Sequence, residues 1–276
     1  HGSIFSKVGA SSKLGAIHIV AQAISGAMSV NGKPDDEPLR IGLPVADVAA
    51  GMWLAMGVIA ALRTREATGV GQLVETTLQS SLLNLLSYHS QTFLTAGVLP
   101  ERTGNSHPEI YPYGVFQCKD STLVLGLGTE KMWKAFAVLV ELGHLIESPL
   151  YADPRDRRRN KHLLKQEIER KLAHRHAEYW AGELTKAGIP AAPIKDIGEA
   201  LTDPQVDANG WIDSVAHPRL GTWKSLKLPV SFNGEAPGVR LYPPAEGENS
   251  QECLYEYGFE RHEVQELVEQ GLVIQR

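Results

Sequence analysis

Apolar positions change their spacing along this chain, and each change marks a predicted element. Ile17, Val20, Ala21 and Ile24 recur at helical intervals after a Ser- and Gly-rich lead, predicting a helix that ends near Gly26. A polar loop from Asn31 to Pro44 follows, with Asp35-Asp36-Glu37-Pro38 inside it. From Asp47 to about Arg65, Met52, Leu54, Met56, Val58, Ile59 and Leu62 make the pattern apolar nearly all round. That predicts a buried helix with Asp47 as its N-cap. Thr68-Gly69-Val70-Gly71 ends it and leads into a predicted strand over 72–78, then a helix over about 79–94. Helix, glycine turn, strand and helix in that order predict an α/β fold.

The turn-rich stretch from Gly97 to Pro112 is the candidate domain boundary. Short strands are expected at 114–117 and 123–127, around a Lys119-Asp120-Ser121 turn. Amphipathic helices are expected at 129–142, 159–172 and 177–186. Ile189-Pro190-Ala191-Ala192-Pro193-Ile194 is too proline-rich for a helix and reads as an extended link. Short strands are expected between about 213 and 242, and two helices near 250–257 and 260–270. Trp133, Trp180 and Trp211 are expected to anchor the core of the smaller domain.

Composition narrows this further. The chain has 276 residues, 43% apolar and 21% charged, which is ordinary for a globular protein large enough to bury a core. Its net charge of -5 gives no reason to expect nucleic acid, and the run Arg155–Arg159 reads as a solvated helix start. Two well-separated cysteines, Cys118 and Cys253, predict free thiols in a reducing, cytoplasm-like compartment. The apolar stretches carry too many polar residues for an expected membrane span.

The chemistry concentrates at Leu43-Pro44-Val45-Ala46-Asp47-Val48-Ala49-Ala50-Gly51. A carboxylate opening a helix is favoured as the anion, by about 0.3–1 kcal/mol. The small residues beside it leave room for a substrate to approach the backbone, whose free amides can bind a developing oxyanion. An ionised, accessible carboxylate suits nucleophilic attack on an acyl group. Taken alone, however, Asp47 is better explained as a helix cap. The competing signals are weaker. His174-x-His176-x-Glu178 does not share one helix face, so no metal site is expected there. Gly126-x-Gly128 lacks the third glycine of a dinucleotide loop, and Thr129 as an N-cap accounts for it. Ser80-Ser81 with His89 forms no nucleophile elbow.

The order of motifs carries a resemblance. Val20-Ala21-Gln22-Ala23-Ile24-Ser25-Gly26, Asp47–Gly51, Ala60-Ala61-Leu62-Arg63 and Thr68-Gly69-Val70-Gly71-Gln72-Leu73-Val74 occur in sequence. Gly104-Asn105-Ser106-His107-Pro108, Pro112-Tyr113-Gly114-Val115-Phe116, Ala187–Pro193 and Asp203-Pro204-Gln205 follow, and Pro243-Pro244 and the Leu254–Gly258 stretch lie near the end. Together they resemble the class III CoA-transferases of the formyl-CoA and carnitine CoA-transferase type. The resemblance implies a Rossmann-like large domain at 1–100, lacking its N-terminal part, and a smaller α+β domain at 101–212. Residues 213–276 would return to the large domain. It further implies an interlocked homodimer, with Glu109–Tyr113 near the partner's site. A coenzyme A thioester and a carboxylic acid are the implied substrates, with no tightly bound cofactor; from charge, hydropathy and ligand spacing no metal, nucleic-acid or membrane partner is expected.

By the same resemblance Asp47 attacks the acyl-CoA, passing through an aspartyl anhydride and an aspartyl-CoA thioester. His18 stands where relatives place a glutamate of the site. Lys13 and Leu78 lie at or near coenzyme A-contacting positions. A related branch, the α-methylacyl-CoA racemases, is the alternative; its histidine aligns with Ile17, about 100° around a helix from His18. The chain starts well after the family's usual N-terminal half, so a truncated chain is expected, and an inactive or accessory subunit is a further alternative.

Overall fold

The computed structural model describes residues 17–275. These residues form a mixed helix and sheet structure, and both sheets among them are antiparallel. The chain divides into two compact units, residues 1–194 and 195–276.

The first unit contains two separate apolar cores. The smaller is built from α1 (His18–Ile24), α2 (Val45–Thr68) and α3 (Leu78–Leu85). Ala21, Ala27, Ala46, Ala50, Leu78 and Leu82 form it, and the small alanine side chains let the helices approach closely. A second helix, α4 (Tyr88–Ala96), follows α3. The single helix expected over 79–94 is therefore broken. Ser87 takes φ 49°, a left-handed value, and Ser90 Oγ donates to the Leu83 carbonyl across the break at 3.0 Å.

Three further expectations change here. Pro44, not Asp47, is the N-cap of α2, and Asp47 is the third helical residue. The helix is not buried: among its residues only Ala46, Ala49 and Ala50 are, while Met52 and Ile59 are 60% and 67% exposed. An apolar pattern on every side says that a helix should be covered, and only part of this one is covered by the described residues. Its composition also meets the length and hydropathy of a membrane span, contrary to the expectation that no stretch would. The charges sit near its ends, at Asp47, Arg63, Arg65 and Glu66, leaving 48–62 uncharged. Finally, 72–76 is not part of a strand among the described residues, although the pattern predicts one.

The larger core surrounds a sheet of order β1-β2-β3. Strands β1 (Tyr113–Gln117) and β2 (Thr122–Gly126) pair from Tyr113↔Gly126 to Gln117↔Thr122. Inward positions alternate with outward ones, so Phe116, Leu123 and Leu125 are buried and Val124 is exposed. The proline-rich link is not free: Ala191–Pro193 adds to β2 as edge strand β3, where a proline is tolerated. Helices α5 (Glu130–Leu139), α6 (Pro154–Arg159), α7 (Lys161–Leu172) and α8 (Ala177–Lys186) complete this region. Thr129 caps α5 as expected, accepting from the Met132 amide. Asp120, in the β1–β2 turn, accepts from the Ala177 amide at the start of α8, and that bond lowers the pKa of its carboxyl.

The Arg155–Arg159 run is more than a solvated start. Arg157 is 3% exposed and forks onto Glu130, with Nη2 2.6 Å from Oε2 and Nη1 3.3 Å from Oε1. It also donates to the carbonyls of Tyr151 (2.9 Å), Ala152 (3.3 Å) and Tyr111 (3.4 Å), and lies over the Trp133 ring. Arg158 pairs with Glu109. Both arginines therefore tie down the segment from Glu109 to Tyr111.

Cys118 is buried in this core, and burial, with Asp120 and Glu169 nearby, pushes its pKa up to about 11. Because the thiolate is the reactive form, only about a thousandth of it is ionised at pH 8. A thiol reagent at that pH is expected to label the exposed Cys253 rapidly and Cys118 only on unfolding. Equal rates, read by peptide mass spectrometry, would contradict this burial.

The second unit contains α9 (Ile197–Leu201), α10 (Pro204–Ala208), the hairpin β4 (Ile212–His217) and β5 (Gly221–Leu226), α11 (Ser250–Glu256) and α12 (Arg261–Glu269). Trp211 falls in this unit and is half-exposed, so it anchors no core as Trp133 and Trp180 do. It precedes the hairpin, where its carbonyl accepts from the Lys227 amide.

Candidate active site

Asp47 and His18, singled out separately, are brought together where α1 meets α2. The Asp47 carboxylate is in the first turn of a 24-residue helix, close to amides that the helix itself does not use. Its side chain is 53% exposed and faces His18, with Oδ2 2.7 Å from Nδ1. The two groups are close enough for a hydrogen bond but not well aligned, and Nδ1 is buried without another partner. At 53% exposure the carboxylate has room to turn.

The other imidazole nitrogen is also engaged. His18 Nε2 lies 2.6 Å from Nε2 of Gln22, one turn further along α1. Gln22 is fully buried, and both ends of its amide meet the backbone of Ile41: Oε1 accepts from the amide at 2.8 Å, and Nε2 donates to the carbonyl at 3.2 Å. Sequence reasoning assigned Gln22 no role. Its signal is a lone amide in the apolar run Ile19-Val20-Ala21-Gln22-Ala23-Ile24, four residues after His18 and so on the same helix face.

The remaining candidates are placed elsewhere or not at all. Leu78 is buried in the small core beside Ala46 and Ala50. Lys13 lies outside the described residues. Ile17 is the N-cap residue of α1 and is exposed. His176 sits against Asp120, with Nδ1 3.2 Å from Oδ2, on the surface.

Open space adjoins Asp47. Gly51 is four residues on and shares its face, yet a Cβ built there meets nothing within 4 Å among the described residues. Gly57 contrasts, because its Cβ would stand 2.7 Å from Val74 Cγ1, a packing reason for glycine. A mid-helix glycine without such a reason costs about 1 kcal/mol relative to alanine. A side chain at 51 would lean back over Asp47. Gly51→Leu is therefore expected to raise the melting temperature slightly while reducing turnover about a hundredfold, the scale of a misplaced reactant. Turnover unchanged in a stable variant would show that this side of the helix is not used. A wholly apolar cavity of about 510 Å3, lined by Val45, Val48, Met52 and Met56 among others, adjoins the same helix. At about 100° per residue it faces nearly opposite to Asp47, so it does not receive a group attached there.

The family model for CoA-transferase family III matches residues 1–250. The chain belongs to CoA-transferase family III. The chain is 31% identical to the acetyl-CoA:oxalate CoA-transferase of Acetobacter aceti, over 75% of this chain and 54% of that protein. It is 25% identical to human succinyl-CoA:glutarate CoA-transferase, over 98% of this chain and 62% of that one. A crystal structure of a CAIB/BAIF family protein from Brucella suis superposes with a TM-score of 0.80 at 25% identity, covering 92% of this chain and 66% of that chain. The family III chain thus spans roughly 54–62% of the length of these two curated relatives.

Proposed function

We infer that the intact protein transfers coenzyme A from an acyl-CoA to a carboxylic acid, with Asp47 as the group that carries the acyl unit. The observation that carries this reading is the Asp47 carboxylate itself, exposed in the first turn of α2 and held against His18, with an open face at Gly51. One carboxylate oxygen attacks the thioester carbonyl, the C–S bond breaks, and the electrons leave with the thiolate. That thiolate attacks Cγ of the resulting anhydride, releasing the first acid and leaving an aspartyl thioester. The acceptor acid reverses both steps. No proton need be gained or lost in the cycle.

That absence of proton transfer separates this reading from racemisation, which needs a group free to take an α-proton. Both His18 nitrogens face protein groups, Gln22 on one side and Asp47 on the other. The names of the relatives suggest short carboxylate and dicarboxylate acceptors. A Rossmann-like large domain and an interlocked homodimer belong to the same reading. Purified protein is to be mixed with acetyl-CoA or succinyl-CoA and with oxalate or glutarate, and the CoA products separated by chromatography. The expected result is the acceptor's CoA ester without net hydrolysis. Deuterium wash-in at the α-carbon of a branched acyl-CoA, with no transfer to any acid, would contradict the reading.

A further inference from the structure

We propose that Gln22 is a positioning residue for the Asp47 carboxylate, acting through the tautomer of His18. The proposal rests on the reading of Asp47 as the acyl-carrying group. The argument begins with the backbone of Ile41. Its N–H can only donate, so the Gln22 atom 2.8 Å away must be the oxygen. The Gln22 nitrogen then points to the Ile41 carbonyl and to His18 Nε2, at 3.2 and 2.6 Å. An amide nitrogen only donates, so His18 Nε2 must accept. The matching imidazole carries its proton on Nδ1, and Nδ1 is the atom 2.7 Å from Asp47 Oδ2. Thus a fixed backbone peptide sets the orientation of a buried amide, the amide sets the tautomer, and the tautomer puts the proton on the imidazole nitrogen that lies 2.7 Å from one oxygen of the nucleophile.

This aim matters in both halves of the reaction. Once the half-exposed carboxylate turns so that Oδ2 accepts from His18, Oδ1 is the oxygen left free to attack the thioester carbon. In the anhydride, Oδ1 joins the two acyl carbons and Oδ2 is the carbonyl oxygen on Cγ. When the thiolate attacks Cγ, negative charge develops on Oδ2, the oxygen nearest the Nδ1–H. As the tetrahedral centre collapses, the Cγ–Oδ1 bond breaks and the acid leaves with Oδ1. The other tautomer would instead turn a lone pair toward the oxygen that gains charge.

The test uses intact protein labelled with 15N-histidine, the His18 signals being identified by their loss in His18→Gln. Imidazole 15N shifts and couplings report which nitrogen holds the proton. Wild type is expected to carry it on Nδ1. Gln22→Glu offers an acceptor to Nε2, so the proton signal should appear on Nε2. Gln22→Met, which keeps the length and removes the amide, should lose the single Nδ1–H signature. In both variants kcat is expected to fall about tenfold to a hundredfold, by analogy with the loss seen when the partner that orients a metal-bound histidine is removed. KM for acyl-CoA and acid should stay within about twofold, because Gln22 is sealed from substrate. Melting curves check that each variant is folded. An unchanged Nδ1–H signature in folded variants overturns the proposal, as does an altered tautomer with unchanged kcat. Wild-type protein that forms no Asp47 adduct sinks the nucleophile assignment and this role with it, whereas a tautomer indifferent to Gln22 sinks this role alone.

Discussion

Replacing Asp47 by Asn is expected to lower kcat for CoA transfer by about 10^5-fold or more while leaving the protein folded. A carboxamide has nearly the shape of the carboxylate but does not attack a thioester, and loss of a covalent nucleophile removes the whole two-step route. The structural cost is small because the side chain is half-exposed and caps nothing. What is lost is mainly the interaction of a negative charge with the start of α2, about 0.3–1 kcal/mol. The asymmetry between a large loss of rate and a small loss of stability is the signature to look for. Transfer assays with thermal melts read both. A variant retaining a tenth of the activity would show that another group carries the acyl unit.

Arg157→Met has the opposite signature. The guanidinium is buried, forked onto Glu130 and donated to three backbone carbonyls, while its face rests on Trp133. Methionine fills much of the volume but leaves those carbonyls without their donor. Breaking a buried pair from one side typically costs about 3–5 kcal/mol. Glu130 is partly exposed and can rehydrate, which places the expected loss near the lower end, about 3 kcal/mol. Urea unfolding measures it, and a loss below about 1 kcal/mol would contradict the role given to this network. Lysine is no substitute, because it lacks the planar fork.

These two residues also show what the sequence makes legible. Asp47 and His18 are both marked by the ordered motifs around them, and the fold brings their side chains together. Their meeting is a matter of α1 approaching α2 over alanines, and alanine-rich stretches say that close approach is possible without saying which helices use it. Gln22 was readable in principle from its helical interval to His18, yet its grip on Ile41 depends on a loop returning after nineteen residues. Arg157 could not be told from its neighbours, since burial within a run of arginines is decided by the surface that the helix meets. For the same reason Trp211 did not follow Trp133 and Trp180 into a core.

The errors at α2 and at 72–76 share a cause. Local pattern reports what a segment can do, whereas burial and strand formation need a second surface. The pattern over 48–62 demands cover on all sides, and the described residues supply it only near the start. Conversely, the link at 191–193 became a strand because β2 had a free edge beside it. The turns and caps transferred best, since the β1–β2 turn, the Thr129 cap and the Gly69 helix end are set by a few adjacent residues.

The central claim is that Asp47 carries the acyl group as an activated carboxyl. Hydroxylamine added during incubation with acyl-CoA converts such a carboxyl into a stable hydroxamate, which peptide mass spectrometry can locate. The account predicts a single modified site, Asp47, appearing only when acyl-CoA is present and absent from Asp47→Asn. Modification of a different carboxylate, with Asp47 untouched in protein that is turning over, would contradict it.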